Sequence, residues 1–284
     1  MLRVHEVGKV FESARGRYVA LEGVSITIKP GEFLCLLGPS GCGKSSLLNI
    51  LAGFEPVTSG TVTSGGKPVI RAERERVMFF QDAGSALLPW LNVEENVQFA
   101  LRLRKLPKAE WPAIVETNLR LVNLDTHRSK FPAELSGGMR QRLQIARALA
   151  ADPEVLLMDE PFAALDALTR RHMHQVLLDI WQRTRKTVVF VTHDIAEAIL
   201  LADRVAVMSV GPRAAISKVI EIEAPRPRDL THPQVAQTFH EIEDLLEVCI
   251  GVLDRGLRGR TVRCRDVSWP TQALSVGSLQ VSAR

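Results

Sequence analysis

Gly38-Pro39-Ser40-Gly41-Cys42-Gly43-Lys44-Ser45 is the stretch that decides the fold. Its spacing is G-x-x-x-x-G-K-[ST], with an apolar run of strand length before it (33–37) and a helical pattern after it (46–52). Strand, glycine-rich turn and helix in that order form a phosphate-binding loop. The glycines let the backbone close around phosphates so that successive N–H groups face them. The helix N-terminus adds partial positive charge. In this reading Gly38, Pro39, Ser40, Gly41, Cys42, Gly43, Lys44, Ser45 and Ser46 border a bound nucleotide. Lys44 reaches its β- and γ-phosphates, and the Ser45 hydroxyl ligates Mg²⁺.

Working outward, short apolar runs at 33–37, 77–80, 155–158, 187–191 and 205–208 alternate with helical patterns. That alternation predicts an α/β fold with a mainly parallel sheet. Residues 93–150 are helical by pattern, with breaks at Pro107, Pro112 and Pro132. They read as a helical subdomain inserted into a core formed by 1–92 and 151–222. Residues 223–284 read as a C-terminal extension, partly helical. It begins with the extended connector Pro225-Arg226-Pro227-Arg228. Val235, Phe239, Ile242, Leu246, Cys249 and Leu253 then fall on one helical face, and Pro233 suits the first turn.

The run 155–158 ends in Asp159 and Glu160. In a parallel sheet, strand C-terminal ends line the ligand crevice. Asp159 is therefore placed to bind the Mg²⁺ shell, and Glu160 to orient or deprotonate an attacking water. Gln81 and His193 also follow apolar strands, which puts them on the same edge.

Leu135-Ser136-Gly137-Gly138-Met139-Arg140-Gln141 opens another helix. It is a second set of backbone donors, with Ser136 able to cap the helix. One nucleotide has no evident use for two such elements. At this point the chain resembles the ATP-binding-cassette family, over about residues 1–225. The phosphate loop, Gln81 as the glutamine loop, the 135–141 element as the signature, and Asp159-Glu160 occur in the family's order. Ala164-Leu165-Asp166 follows as the D-loop and His193 as the switch histidine. The resemblance implies a P-loop, RecA-like core. It also implies hydrolysis of ATP with Mg²⁺ held by Ser45, Gln81 and Asp159, and catalysis by Glu160, His193 and Gln81. Two copies would pack head to tail, with Ser136, Gly137, Gly138, Gln141 and Asp166 completing the nucleotide sites. The family's aromatic adenine contact falls by position on Arg15; Phe11 and Tyr18 are the nearby aromatics.

Composition narrows the class. The chain has 284 residues, 46% apolar, with a formal charge of +4 and four scattered cysteines. No run reaches the roughly 18 apolar residues of a membrane span. The N-terminus lacks the apolar block of a signal peptide, so a cytosolic location is expected. One copy of each motif, and only 91 positions between Ser45 and Ser136, set the chain apart from tandem-cassette and coiled-coil relatives. The runs at 88–91, 138–142, 165–170 and 225–228 look like the nitrate, sulfonate and taurine importer group. That likeness implies a peripheral protein on the cytoplasmic face of the inner membrane. Its partners would be two transmembrane permease subunits and, indirectly, a substrate-binding protein. A small-molecule kinase with the same loop, and an exporter ATPase, are the alternatives. Five arginines between 255 and 265 suggest nucleic acid or an anionic lipid face, and no nucleic-acid partner is expected.

Overall fold

The computed structural model describes residues 1–13, 16–80 and 86–256. The chain opens with two long strands, β1 (Leu2–Ser13) and β2 (Gly16–Ile28), followed by β3 (Phe33–Leu37) and α1 (Lys44–Ala52). Next come β4 (Ser59–Ser64), β5 (Lys67–Pro68) and β6 (Arg76–Phe79). The helices α2 (Val93–Arg104), α3 (Trp111–Leu121) and α4 (Gly137–Ala150) pack on one another. The remainder alternates: β7 (Val155–Asp159), α5 (Ala167–Thr184), β8 (Thr187–Thr192), α6 (Ile195–Leu201) and β9 (Arg204–Met208). It closes with β10 (Ile216–Glu221) and α7 (Pro233–Gly256), which starts at the expected proline.

Among the described residues one sheet runs β10-β9-β3-β8-β7-β6, parallel except for β10. Its central strands β9, β3, β8 and β7 are buried on both faces, which is why they read as continuous apolar runs. Phe33, Cys35 and Leu37 of β3 face the same core as Val188 and Phe190 of β8 and the helices α2 to α6. Leu34 and Leu36 face the other core, with Leu47, Leu48 and Leu51 of α1. The two cores meet across β3, so the loop that follows it hangs from the most enclosed strand of the molecule.

A second, antiparallel sheet, β2-β1-β4-β5, covers α1. The apolar-run pattern does not announce it. Its strands alternate, as half-buried strands do, but β1 breaks register between Val4 and Val7 and twice more before Val10. Each break resets which face the side chains take.

Phe190 is fully buried, its ring centroid 5.9 Å from those of both Phe33 and Phe162. Removing such a ring leaves a cavity that its neighbours cannot fill. Phe190→Ala is expected to lose about 3–5 kcal/mol of stability, read as a lower urea midpoint; an unchanged midpoint would contradict the packing described.

Candidate functional site

The loop between β3 and α1 is held by steric demands that only glycine meets. Gly43 has φ 90°, and a Cβ there would lie 2.8 Å from Leu21 Cδ2. A Cβ on Gly38 would lie 2.9 Å from Cys42 Sγ and 3.1 Å from the Met208 carbonyl. Lys44 folds back across the loop. Its Nζ donates to the carbonyls of Gly38 at 2.7 Å and Pro39 at 2.9 Å, and lies 3.9 Å from Cys42 Sγ. The ammonium is buried, and among the described residues no carboxylate lies within salt-bridge distance of it. Pro39 has no N–H, so the loop's donors to an anion come from its other members.

Two strand ends bring side chains to this side of the sheet. Asp159 closes β7 near the Ser45 hydroxyl at the start of α1, which favours its ionised form. Burial pushes the Asp159 carboxyl above the usual carboxylate range; Glu160 adds to this, while Ser45 and Lys44 oppose it. Glu160 has φ 42°, a left-handed conformation uncommon outside glycine, and its N–H donates to the Val191 carbonyl at 3.1 Å. The kink turns its carboxylate toward β8, where Glu160 Oε2 lies 3.1 Å from His193 Nδ1. Strain of this kind persists where the surroundings fix it, and gathers at functional sites.

Asp159 therefore lies near Ser45 and Lys44, and Glu160 pairs with His193. Ser136, Gly137 and Gly138 do not join them. Ser136 caps α4 by accepting from the Met139 N–H at 3.3 Å, and Gly138 packs so closely that a Cβ would lie 2.9 Å from Thr169 Cγ2. Among the described residues no hydrogen bond links this turn to the phosphate loop. Asp166 caps α5, accepting from the Leu168 and Thr169 N–H groups, and these bonds lower its carboxyl. Gln141 is buried and its amide donates to the Pro161 carbonyl at 2.5 Å, so it ties α4 to the turn after Glu160. Gln81, Arg15 and the arginines from 258 to 265 lie outside the described residues. Of the two remaining aromatics, Phe11 and Tyr18 are cross-strand partners. Lys9 Nζ sits over the Phe11 ring at 4.9 Å. Tyr18 reaches the loop side: a Cβ on Gly211 would lie 3.0 Å from Tyr18 Oη and 3.4 Å from the Gly41 carbonyl.

The sequence pattern did not single out Thr192, Glu197 and His174, which meet in the interior behind His193. Their one visible signal is a carboxylate, Glu197, among the buried residues of α6.

A family model described as ABC transporter matches residues 21–163. The chain is similar to the nitrate import ATP-binding protein NrtD of Synechococcus elongatus, 45% identical over 84% of this chain and 89% of that protein. It is 44% identical to the bicarbonate transport ATP-binding protein CmpD of Synechocystis, over 86% of each. Among solved structures, the ATP-binding cassette MJ0796, a dimer in a post-hydrolysis state bound to ADP and Pi, aligns with TM-score 0.66 at 30% identity. That alignment covers 79% of this chain and 100% of the other. The structure of cbiO1 from Clostridium perfringens, part of the transporter complex cbiONQ, aligns with TM-score 0.69 at 26% identity, over 90% and 97%.

Asp159 yields a pH prediction. Its folded pKa is raised, so its ionised form destabilises the fold above that pKa, and the penalty vanishes below the unfolded value. Asp159→Asn is expected to raise the melting temperature of the nucleotide-free protein at pH 7, with the gain shrinking as pH falls through the carboxylate range. A gain independent of pH would contradict this.

Proposed function

The chain belongs to the ABC transporter family and is an ATPase, and from that premise we propose that it is the ATP-hydrolysing subunit of a small-anion importer. The observation that carries the reading is the convergence of strand ends: Glu160 meets His193, and Asp159 lies within the influence of Ser45, Glu160 and the Lys44 ammonium. ATP phosphates would draw Lys44 off the Gly38 and Pro39 carbonyls, replacing neutral acceptors by charged ones. Two oxygen donors held together, one of them a half-buried carboxylate, fit Mg²⁺. Among the described residues no cluster of three His, Cys, Asp or Glu would bind a metal by itself, so phosphate oxygens complete the set. Ser45 and Asp159 would hold the ion, with Gln81 as a further ligand. Bound there, Mg²⁺ neutralises charge on the phosphates.

Glu160 is the general base: its carboxylate takes the proton of the attacking water as the water oxygen bonds to the γ-phosphorus and the bond from that phosphorus to the bridging oxygen breaks, releasing ADP and phosphate. His193 orients Glu160 and the phosphate. The turn at Ser136 to Gly138, exposed at Ser136, covers the γ-phosphate held by a second copy. The dimer is thus closed by two ATP molecules and opens after hydrolysis. Tyr18 stacks on adenine, being the described aromatic on the loop side.

Similarity to nitrate and bicarbonate import subunits supports a small inorganic anion, such as nitrate, as cargo. Among the described residues no helix is long and apolar enough to cross a membrane, so the channel belongs to separate permease subunits. A cavity of about 720 Å³ lies among Phe80, Leu88, Phe99 and Leu103, with Arg74 and Arg104 in its wall. Phe80 and Leu103 are 48% and 66% exposed. Apolar surface with added cations fits a cytosolic helix of the permease that carries an acidic residue. In this reading the protein works on the cytoplasmic face of the membrane.

Two substitutions test the site. Lys44→Ala should abolish ATP binding as well as turnover. Glu160→Gln should keep ATP binding while kcat falls about 10²- to 10⁴-fold. Near-normal hydrolysis by the second variant would remove Glu160 as the base.

A further inference from the structure

The turn that presents His193 is held from behind by a polar network that the roles above leave unused. Thr192, 1% exposed, donates its hydroxyl to Glu197 Oε2 at 2.6 Å. The same hydroxyl accepts the Asp194 N–H at 3.0 Å, so the two bonds straddle His193. Asp194 then caps α6 through the N–H groups of Ala196 and Glu197. The other oxygen of Glu197 meets His174 Nε2, on α5, at 2.9 Å. Burial alone would raise the Glu197 carboxyl. The hydrogen bonds of His174 and Thr192, with the charges of His174 and Arg170, instead bring it below its usual value.

The α5 side of this network leads to a different loop. Arg170 donates to the Leu165 carbonyl at 2.8 Å and to the Ala163 carbonyl at 3.4 Å, which braces the segment ending at the Asp166 cap. The His174 ring packs 5.6 Å from that of Phe162, just before the segment. On the outer side, Leu168 is 78% exposed, an apolar residue presented at the start of α5. Glu197 is therefore the joint between a surface loop, 163–166, and the backbone on either side of His193. A carboxylate buried in an apolar layer is costly unless both oxygens are satisfied. The joint holds only in the arrangement that satisfies both, and so fixes one geometry.

We propose that His174, Glu197 and Thr192 are positioning residues for hydrolysis: through them the 163–166 loop sets where His193 stands against Glu160. The proposal rests on the reading that Glu160 and His193 carry the chemistry. A second copy pressing on the 163–166 loop would then be felt at the reacting water with no residue of the network touching ATP.

The test compares His174→Leu, which keeps apolar bulk beside Phe162, with His174→Gln, which can still donate to Glu197. Thr192→Val, of nearly the same shape, removes the hydroxyl and keeps the test open should His174→Leu not fold. Displaced catalytic groups cost rate while leaving binding intact. His174→Leu and Thr192→Val should each lower kcat about 10-fold with the KM for ATP unchanged, and His174→Gln should recover most of the loss. Wild-type kcat in a folded Thr192→Val or His174→Leu would overturn the proposal. So would a His174→Gln as slow as His174→Leu. Glu160→Gln, measured alongside, separates the two readings. If it is slow while the network variants are normal, only the network fails; if it is itself normal, the site reading fails.

Discussion

A buried ammonium that finds only neutral acceptors is the interaction on which the rest of this structure depends. Lys44 is 5% exposed and bonded to two carbonyls of its own loop. A buried cation favours any arrangement that brings anionic oxygen to it. For a polyphosphate to approach, the loop must be glycine-rich, open at Gly41, and anchored. The anchor is β3, enclosed by β8 and β9 at its sides and by a hydrophobic core on each face. The mainly parallel sheet with its buried central strands, the helix layers and the small antiparallel sheet over α1 all serve to hold one short loop still.

The side chains around that loop are ones the fold alone would not select. Burial favours the protonated form of Asp159 over the ionised one, and Glu160 stands in a left-handed backbone conformation. Each costs stability, and each is tolerated because the neighbouring strands fix the backbone on both sides. Local rules are broken where a ligand and a reaction need them broken. Glu197 is the counter-example: more deeply buried, it is satisfied at both oxygens.

Residues whose role depends on local sequence were legible. The loop, the carboxylates at the end of β7, the cap Ser136 and the start of α7 at Pro233 all follow from short-range pattern. What was not legible depends on contacts distant in sequence. The antiparallel sheet was hidden by register breaks in β1. That Tyr18 lies near the phosphate loop is visible only through Gly211, far along the chain. Gln141 looked like part of the signature's donor set, yet its amide is taken by Pro161, 20 residues on. The His174–Glu197 pair spans 23 positions and two elements, and nothing in either local pattern announces it.

The central claim is that the nucleotide site is composite. One chain supplies Lys44, Asp159 and Glu160, and a second chain supplies the Ser136 to Gly138 turn. The most direct measurement is the specific rate of ATP hydrolysis as the chain is diluted, with sedimentation recording the fraction of dimer at each point. A composite site predicts that the rate per chain falls with the dimer fraction and vanishes where only monomers remain. A rate per chain that stays constant into the monomer range would contradict the account, because a single chain would then hold everything that hydrolysis requires.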